Sequence, residues 1–128
     1  MSKILIKPEA TAIRTMFAAS DSGDINAMLG FLTDDVVLVF GNADPVRGRE
    51  AVGALSRQVT SKLRSVRHEI HDIWRAEEDP NVFIARMTVH YVRLDGAVVS
   101  LPCCNIFGMT GGLVADYRIY MDVNPVFA

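Results

Sequence analysis

Apolar residues recur at helical spacing in three stretches of the first half of the chain. Residues 8–20 predict a first helix, because proline suits a first helical turn and an apolar face follows at Ala10, Ile13, Met16 and Phe17. Residues 25–32 predict a second, short helix after an aspartate N-cap, with an apolar stripe at Ile25, Met28, Leu29 and Leu32. A third helix is predicted to start after Gly48 and to end near Lys62.

The rest of the chain has β-branched and aromatic residues in short runs between turn signals. Five strands are predicted, over residues 36–40, 65–75, 82–94, 98–109 and 113–122. The turns between the last four runs are short, which indicates mainly antiparallel neighbours. Helices gathered on the N-terminal side with strands after them predict the α+β class, with the helices across one face of a curved sheet.

The composition indicates one compact domain and argues against a nucleic-acid partner. The 128 residues are half hydrophobic, and 13 basic side chains against 15 acidic ones leave a net charge of −2. A chain of this length can bury enough surface for one core, so residues 1–128 are expected to form a single domain. Lys and Arg are scattered, whereas nucleic-acid binders carry a basic patch.

Cysteine usage and hydropathy favour a reducing, aqueous compartment. Cys103 and Cys104 are adjacent and no other cysteine exists, so neither a disulfide framework nor a zinc or other metal site is expected. No window approaches the roughly 18 apolar residues of a membrane span. The short apolar run before Lys7 is not a signal-peptide core, and we therefore expect a cytoplasmic protein.

Alternation along the predicted strands sorts the candidate chemistry onto single faces of the sheet. Arg86, Thr88 and His90 share one face of the strand at residues 82–94. One face of the last strand carries Asp116, Arg118, Tyr120 and Asp122. Two interpretations stay open: these faces meet water or a partner subunit, where ion pairs are ordinary, or they converge in an apolar pocket.

Several segments together resemble the SnoaL-like branch of the nuclear transport factor 2 (NTF2) fold. They are the two opening helices, the strand VVLVFGN, the loop and helix start PVRGREAV at residues 45–52, and the ending DYRIYMDVNP. The resemblance covers nearly the whole chain and implies a cone of three helices against a strongly bent mixed sheet. It also implies a hydrophobic pocket inside the cone and a homodimer formed through the sheet.

Relatives of this fold include ketosteroid isomerases, polyketide cyclases and limonene-type epoxide hydrolases. This chain has only some of the residues that form their catalytic motifs. The epoxide hydrolase pattern puts its arginine on Arg86, its last aspartate on Asp122 and its asparagine on Asn42. Its tyrosine position is Phe40 and its middle aspartate is Thr88, so the general acid is missing. The polyketide cyclases match better, because they use a carboxylate in the last strand.

The resemblance therefore implies acid/base chemistry on a small apolar molecule, without a cofactor. Asp122 is the expected base, Arg86 orients it, His90 is the general acid, and Asn42 holds a water or carbonyl oxygen. The expected ligand-binding positions are Phe17, Phe40, Thr88, Cys104 and Tyr120.

A non-catalytic function is the alternative hypothesis to an enzyme. The same cone can serve as a small-molecule-binding or dimerisation module, and Arg86 with Asp122 is equally a structural ion pair. His68 and His71 lie three apart in a predicted strand, so they face opposite sides and cannot bind one metal together.

Overall fold

The computed structural model describes residues 8–128, and the segment before Pro8, on which the signal-peptide inference rests, lies outside the described residues. The helices are α1 (Pro8–Asp21), α2 (Ile25–Leu29), α3 (Arg49–Thr60) and the short α4 (Asn124–Phe127). The strands are β1 (Leu32–Phe40), β2 (Val46–Arg47), β3 (Leu63–Arg75), β4 (Val82–Arg93), β5 (Val98–Thr110) and β6 (Leu113–Tyr120). The predicted α+β class is confirmed.

The strands form one six-stranded mixed sheet in the order β2-β1-β6-β5-β4-β3. β1 and β6 run parallel, and every other neighbouring pair is antiparallel. The register shifts between Ile70 and Asp72 in β3 and between Gly108 and Met109 in β5. Such irregularities bend a sheet, so one of its faces is concave.

The second helix is shorter than predicted, because Leu32 belongs to a strand. Gly30 is the C-cap of α2, and Leu32 pairs with Val114 across the parallel β1–β6 ladder. Leu32 is almost fully buried, so it continues the apolar stripe of α2 without belonging to the helix. The last strand also ends earlier than predicted, at Tyr120, which leaves Asp122 in the turn before α4.

The core lies between the helices and one face of the sheet. α1 packs on β3, and α3 packs on β1 and β3. The face toward the helices, called the inner face below, carries the odd-numbered residues of β4, and Phe83, Met87 and Val89 are fully buried there. The opposite, outer face leaves Trp74 and Tyr120 half exposed. Among residues 8–128, no helix combines the length and the apolar character needed to cross a membrane.

Candidate functional site

A cavity of about 140 Å³ lies between the inner face of the sheet and helices α1, α2 and α3. Most of its wall is apolar, contributed by Met16, Phe17, Met28, Leu32, Leu38, Phe40, Val52, Leu55, Val59, Val66 and Ile119. The polar positions in the wall are Ser20, Ser56, Thr60, His68, Tyr91 and Tyr117. An apolar concave site with a few polar groups is the usual form of a small-molecule site.

Strand alternation decides which polar groups reach this cavity. Tyr91 shares the inner face of β4 with Val89, and Tyr117 shares that of β6 with Ile119. In β3, His68 lies on the same inward face as the apolar residue Val66, two positions before it. His68 is therefore a polar side chain on an otherwise apolar stretch of strand.

His68 is held by Asp21, the last residue of α1. Its ring Nδ1 lies 2.5 Å from Asp21 Oδ1, and its backbone N–H donates to Asp21 Oδ2 at 2.9 Å. The two side chains are only 16% and 20% exposed. Both carboxylate oxygens thus fix one histidine, which ties the end of α1 to β3 and sets the orientation of the ring.

This pairing leaves one ring nitrogen of His68 for a ligand. Because Nδ1 is taken by Asp21, Nε2 is the free nitrogen, and no described residue bonds it. The ring also packs on Phe17, with ring centroids 4.6 Å apart. A carboxylate on Nδ1 stabilises the imidazolium that forms when Nε2 takes a proton, so His68 can act as base and then as acid.

The two tyrosines of the wall are neutral hydrogen-bond donors. Burial raises the pKa of Tyr91 to about 12, and the Cys103 side chain adds to this rise. Burial also raises the pKa of Tyr117 well above its ordinary value, with smaller contributions from Cys103, Tyr91 and Asp21. The Tyr91 hydroxyl donates to Met121 Sδ at 3.4 Å.

Cys103 is not placed to act as a thiolate nucleophile. Cys103 is buried and donates to Asn105 Oδ1 at 3.2 Å, and burial raises the pKa of its thiol to about 12, so it is not a thiolate near neutral pH. Within the described part of the chain, no three His, Cys, Asp or Glu side chains form a set that could hold a metal ion.

Three of the residues expected in a pocket lie on the outer face instead. Arg86 binds Asp72 Oδ2 through Nε at 3.0 Å and Nη2 at 2.7 Å, so its partner is not Asp122. His90 is hydrogen-bonded to Ser100 and Glu69, and Thr88 to His71. The even-numbered positions of β4 point away from the helices, and this parity excludes the three side chains from the cavity.

The other expected residues are divided between the outer face, exposed turns and the cavity. Asp122 is exposed, and its Oδ1 accepts the backbone N–H of Asn124 at 3.0 Å, a local turn contact. Asn42 is exposed in the turn after β1. Cys104 and Tyr120 pair across β5 and β6 on the outer face. Phe17 and Phe40 do line the cavity.

The expected catalytic residues are therefore not brought together, whereas an unexpected pair is. His68 and Asp21 are 47 positions apart, and only the packing of α1 on β3 joins them. One signal in the sequence bears on His68, since it alternates with Val66 and Ile70 on one face of a strand. His71 lies on the outer face, where it is hydrogen-bonded to Thr88, as expected from its three-residue spacing from His68.

Comparison with known proteins gives one family match. Residues 13–117 match the family described as the SnoaL-like domain. Among curated proteins, none matches this chain.

Solved structures share the fold at low identity. An NTF2-like protein of unknown function from Burkholderia pseudomallei has a TM-score of 0.84 at 14% identity, and the match covers 95% of this chain and 96% of that one. A Mycobacterium tuberculosis protein in complex with estradiol-17beta-hemisuccinate has a TM-score of 0.80 at 18% identity, covering 93% and 97%. An LEH-like epoxide hydrolase of the same organism has a TM-score of 0.79 at 21% identity, covering 94% and 86%.

Proposed function

We propose, since this chain belongs to the SnoaL-like domain family, that its cavity binds a small apolar molecule and carries out acid/base chemistry on it through His68. The observation that carries the proposal is the His68–Asp21 pair at the wall of an apolar cavity. The reaction class is a proton transfer, as in an isomerisation, a cyclisation or the addition or loss of water.

The proposed cycle moves one proton and needs no cofactor. Neutral His68 keeps its Nδ1–H on Asp21 and accepts a proton at Nε2 from an activated C–H or from water. The resulting imidazolium and the Asp21 carboxylate form an ion pair. The proton then leaves Nε2 for a different atom of the bound molecule, which returns His68 to its starting state. Asp21 is a positioning residue in this cycle, because it acts through His68.

His68 replaces Asp122 as the proposed base for two reasons. The Asp122 carboxylate is exposed and accepts a hydrogen bond within its own turn. It also lacks Arg86, which is paired with Asp72 on the outer face. A solvated carboxylate in a turn has neither the desolvation nor the fixed partner that tunes a catalytic base.

The alternative is a binding module without chemistry. It is favoured by the small number of titratable side chains that residues 8–128 contribute to the wall, which are His68, Tyr91 and Tyr117. A protein with the same fold was solved in complex with estradiol-17beta-hemisuccinate, which is consistent with a binding role for the fold.

We also propose a cytoplasmic homodimer that forms through the outer face. Trp74 is 49% exposed and Tyr120 is 50% exposed on that face, and a partner chain would bury both aromatic side chains. Sedimentation at micromolar concentration should give about twice the chain mass of 14.1 kDa. A species of the single-chain mass would remove this part of the proposal.

Deuterium exchange tests the chemistry without a known product. Single-ring ketones, enones and epoxides are incubated with the protein in D₂O, and NMR follows exchange at carbon and the appearance of new species. The proposal expects wild-type protein and His90→Gln to be active and His68→Gln to be inactive. Equal activity in His68→Gln and wild type would remove His68 as the base. Binding in the cavity without exchange or product would favour the alternative.

A further inference from the structure

An open groove adjoins the cavity between the start of α2 and the end of α3. Its volume is about 420 Å³, and its lining residues are Gly23, Asp24, Ile25, Asn26, Arg57, Thr60 and Ser61. Thr60 belongs to the walls of both the groove and the cavity. The turn after α1 also joins them, because the Ser20 carbonyl accepts the backbone N–H of Gly23 at 3.0 Å, and Ser20 is part of the cavity wall. The cavity and the groove therefore lie side by side.

Arg57 gives this groove a cation that no carboxylate of the described chain neutralises. Its Nη2 donates to Asn26 Oδ1 at 2.7 Å, which is a neutral partner. Among residues 8–128, no carboxylate oxygen forms a salt bridge with the Arg57 guanidinium, whereas four other arginines each pair with an aspartate. The other N–H groups of a guanidinium donate in a planar fork, which suits a carboxylate.

The packing of α3 on α2 sets the position of the Arg57 guanidinium. A Cβ atom at Gly53, about one turn before Arg57, would lie 3.1 Å from Arg57 Nη1 and 2.8 Å from Leu29 Cδ1. The Arg57 side chain thus extends back along its own helix, past a position where glycine leaves room for it. Together with the bond to Asn26, this places the guanidinium between the two helices.

The acidic side chains at this end of the cavity have partners of their own. Asp24 lines the groove, but its Oδ1 accepts the backbone N–H of Ala27 at 3.0 Å as the N-cap of α2. Both carboxylate oxygens of Asp21 are bonded to His68. Residues 8–128 contribute no Lys or Arg to the cavity wall. An anionic group that needs a cation without a carboxylate partner therefore finds it in the groove, at Arg57.

The cavity and the groove suit different parts of one ligand. The cavity holds about 140 Å³, close to the volume of an engineered apolar cavity that accepts benzene, so a single six-membered ring fills it. Its wall is mainly apolar, whereas most side chains that line the groove are polar. A molecule that occupies both is therefore amphipathic.

From these observations we infer that the protein takes an amphipathic carboxylic acid, with an apolar ring in the cavity and a carboxylate that Arg57 binds in the groove. This inference deepens the proposed function and rests on the cavity being its ligand site. Arg57 is then a specificity-determining residue, because it selects ring compounds that carry an acidic side chain. The proposed proton transfer stays at His68.

Binding measured by NMR tests the inference separately from turnover. The probes are methylcyclohexane, 4-cyclohexylbutanoate and 4-cyclohexylbutanamide at pH 8 and low salt. Residues three apart on a helix, such as Arg57 and Thr60, have Cβ atoms about 5–6 Å apart, which a three-carbon chain spans. The acid and the amide share the ring and the chain and differ in the charge of the terminal group.

Wild-type protein should bind the acid about 3- to 10-fold more tightly than the amide. This preference should shrink at high salt, because dissolved ions screen an exposed ion pair. The backbone amide signals of Gly23 and Ser61 should move when the acid binds and stay in place when methylcyclohexane binds.

The matched variants are Arg57→Gln and Arg14→Gln, the latter at an exposed arginine of α1. Arg57→Gln should remove the preference for the acid and leave methylcyclohexane binding unchanged, and Arg14→Gln should keep the preference. The inference is overturned if wild-type protein binds the amide as tightly as the acid, a comparison that needs no variant to fold, or if Arg57→Gln keeps the preference.

The same probes separate this inference from the proposed function. Binding of methylcyclohexane without a preference for the acid would overturn the inference and leave the cavity as a ligand site. Failure of methylcyclohexane to bind would remove both. A preference for the acid that depends on Arg57, in a protein that exchanges no proton in D₂O, would uphold the inference and remove the catalytic proposal.

Discussion

Two histidine–carboxylate pairs lie on opposite faces of the same sheet. On the inner face, His68 Nδ1 lies 2.5 Å from Asp21, and the side chains are 16% and 20% exposed. On the outer face, His90 Nε2 lies 2.8 Å from Glu69, and the side chains are 23% and 49% exposed. The residue types and distances are similar, yet only the inner pair borders an apolar cavity.

The difference between the pairs is what surrounds the remaining ring nitrogen. The Nδ1 of His90 is bonded to Ser100 at 2.7 Å, so both of its nitrogens are occupied. Among the described residues, nothing bonds Nε2 of His68, and that ring lies at the cavity. A histidine that keeps one nitrogen free in a water-poor site can exchange a proton with a bound molecule, whereas one bonded at both nitrogens stabilises structure.

The largest effect should come from breaking the inner pair. Asp21→Asn should reduce turnover by about 10²- to 10⁴-fold, because an amide does not stabilise the His68 imidazolium and can favour the wrong tautomer. Glu69→Gln, the matched change on the outer face, should leave turnover unchanged. Steady-state kinetics on a molecule that the wild type converts gives both values.

A spectroscopic readout accompanies this prediction and requires no substrate. The Nδ1 proton of His68 should give a downfield ¹H signal in wild-type protein, because it is held in a short bond to a carboxylate. The signal should be absent in Asp21→Asn and present in Glu69→Gln. In the kinetic experiment, an equal loss of turnover in Asp21→Asn and Glu69→Gln would contradict the proposal that only the inner histidine–carboxylate pair takes part in the reaction.

The next effect concerns stability. Phe17 is 3% exposed in the inner core, so Phe17→Ala should lower the free energy of unfolding by about 3–5 kcal/mol. In a single chain Trp74 is 49% exposed on the outer face, so Trp74→Ala should cost roughly 1–2 kcal/mol at protein concentrations where the proposed homodimer is dissociated. Urea unfolding at one such low protein concentration measures both. A loss at Trp74 as large as that at Phe17 would indicate that the outer face is covered in solution.

The fold could be predicted from the sequence because its signals are local or periodic. The α+β class and the helix over residues 49–60 follow from hydrophobic spacing. The SnoaL-like resemblance is confirmed by the family match over residues 13–117, which includes PVRGREAV and stops before most of the DYRIYMDVNP ending. The boundary between α2 and β1 could not be predicted in this way. Leu32 continues a helical stripe in sequence, while its position is fixed by pairing with Val114, far along the chain.

The candidate site could be predicted only in part. Alternation along a strand shows which residues share a face of the sheet, but it does not show which face the helices cover. Arg86, Thr88 and His90 do share a face, but it is the outer one. The Phe17 and Phe40 positions followed from apolar character and family spacing. The pairing of Asp21 with His68 depends on how α1 packs on β3, which no spacing along the chain encodes.

A third prediction concerns alkaline pH and the inner face. The pKa of Tyr91 is raised from 10.0 to about 12, so the folded protein keeps a proton that the unfolded chain releases. Its contribution to stability is complete below pH 10 and is lost as the pH rises from there toward 12. The urea midpoint of wild-type protein should fall over this range, and that of Tyr91→Phe should fall less. If the urea midpoints of wild-type protein and Tyr91→Phe fell in parallel as the pH rises, the raised pKa assigned to Tyr91 would be wrong.

The smallest effect lies at acidic pH on the outer face, and its sign is opposite. The hydrogen bond from His90 is the main cause that lowers the pKa of the Glu69 carboxyl below 4.5. Desolvation, the next cause in size, opposes it, and the charges of His71, His90 and Arg67 lower the pKa further. Any stability from this carboxylate is therefore present above pH 4.5 and is lost as the pH falls through its lowered pKa. Carboxyl ¹³C titration should show the Glu69 pKa rising toward 4.5 in His90→Ala and staying low in His68→Gln. If His68→Gln moved the Glu69 pKa as much as His90→Ala does, the two faces would not titrate independently, and the separation of the two pairs would be wrong.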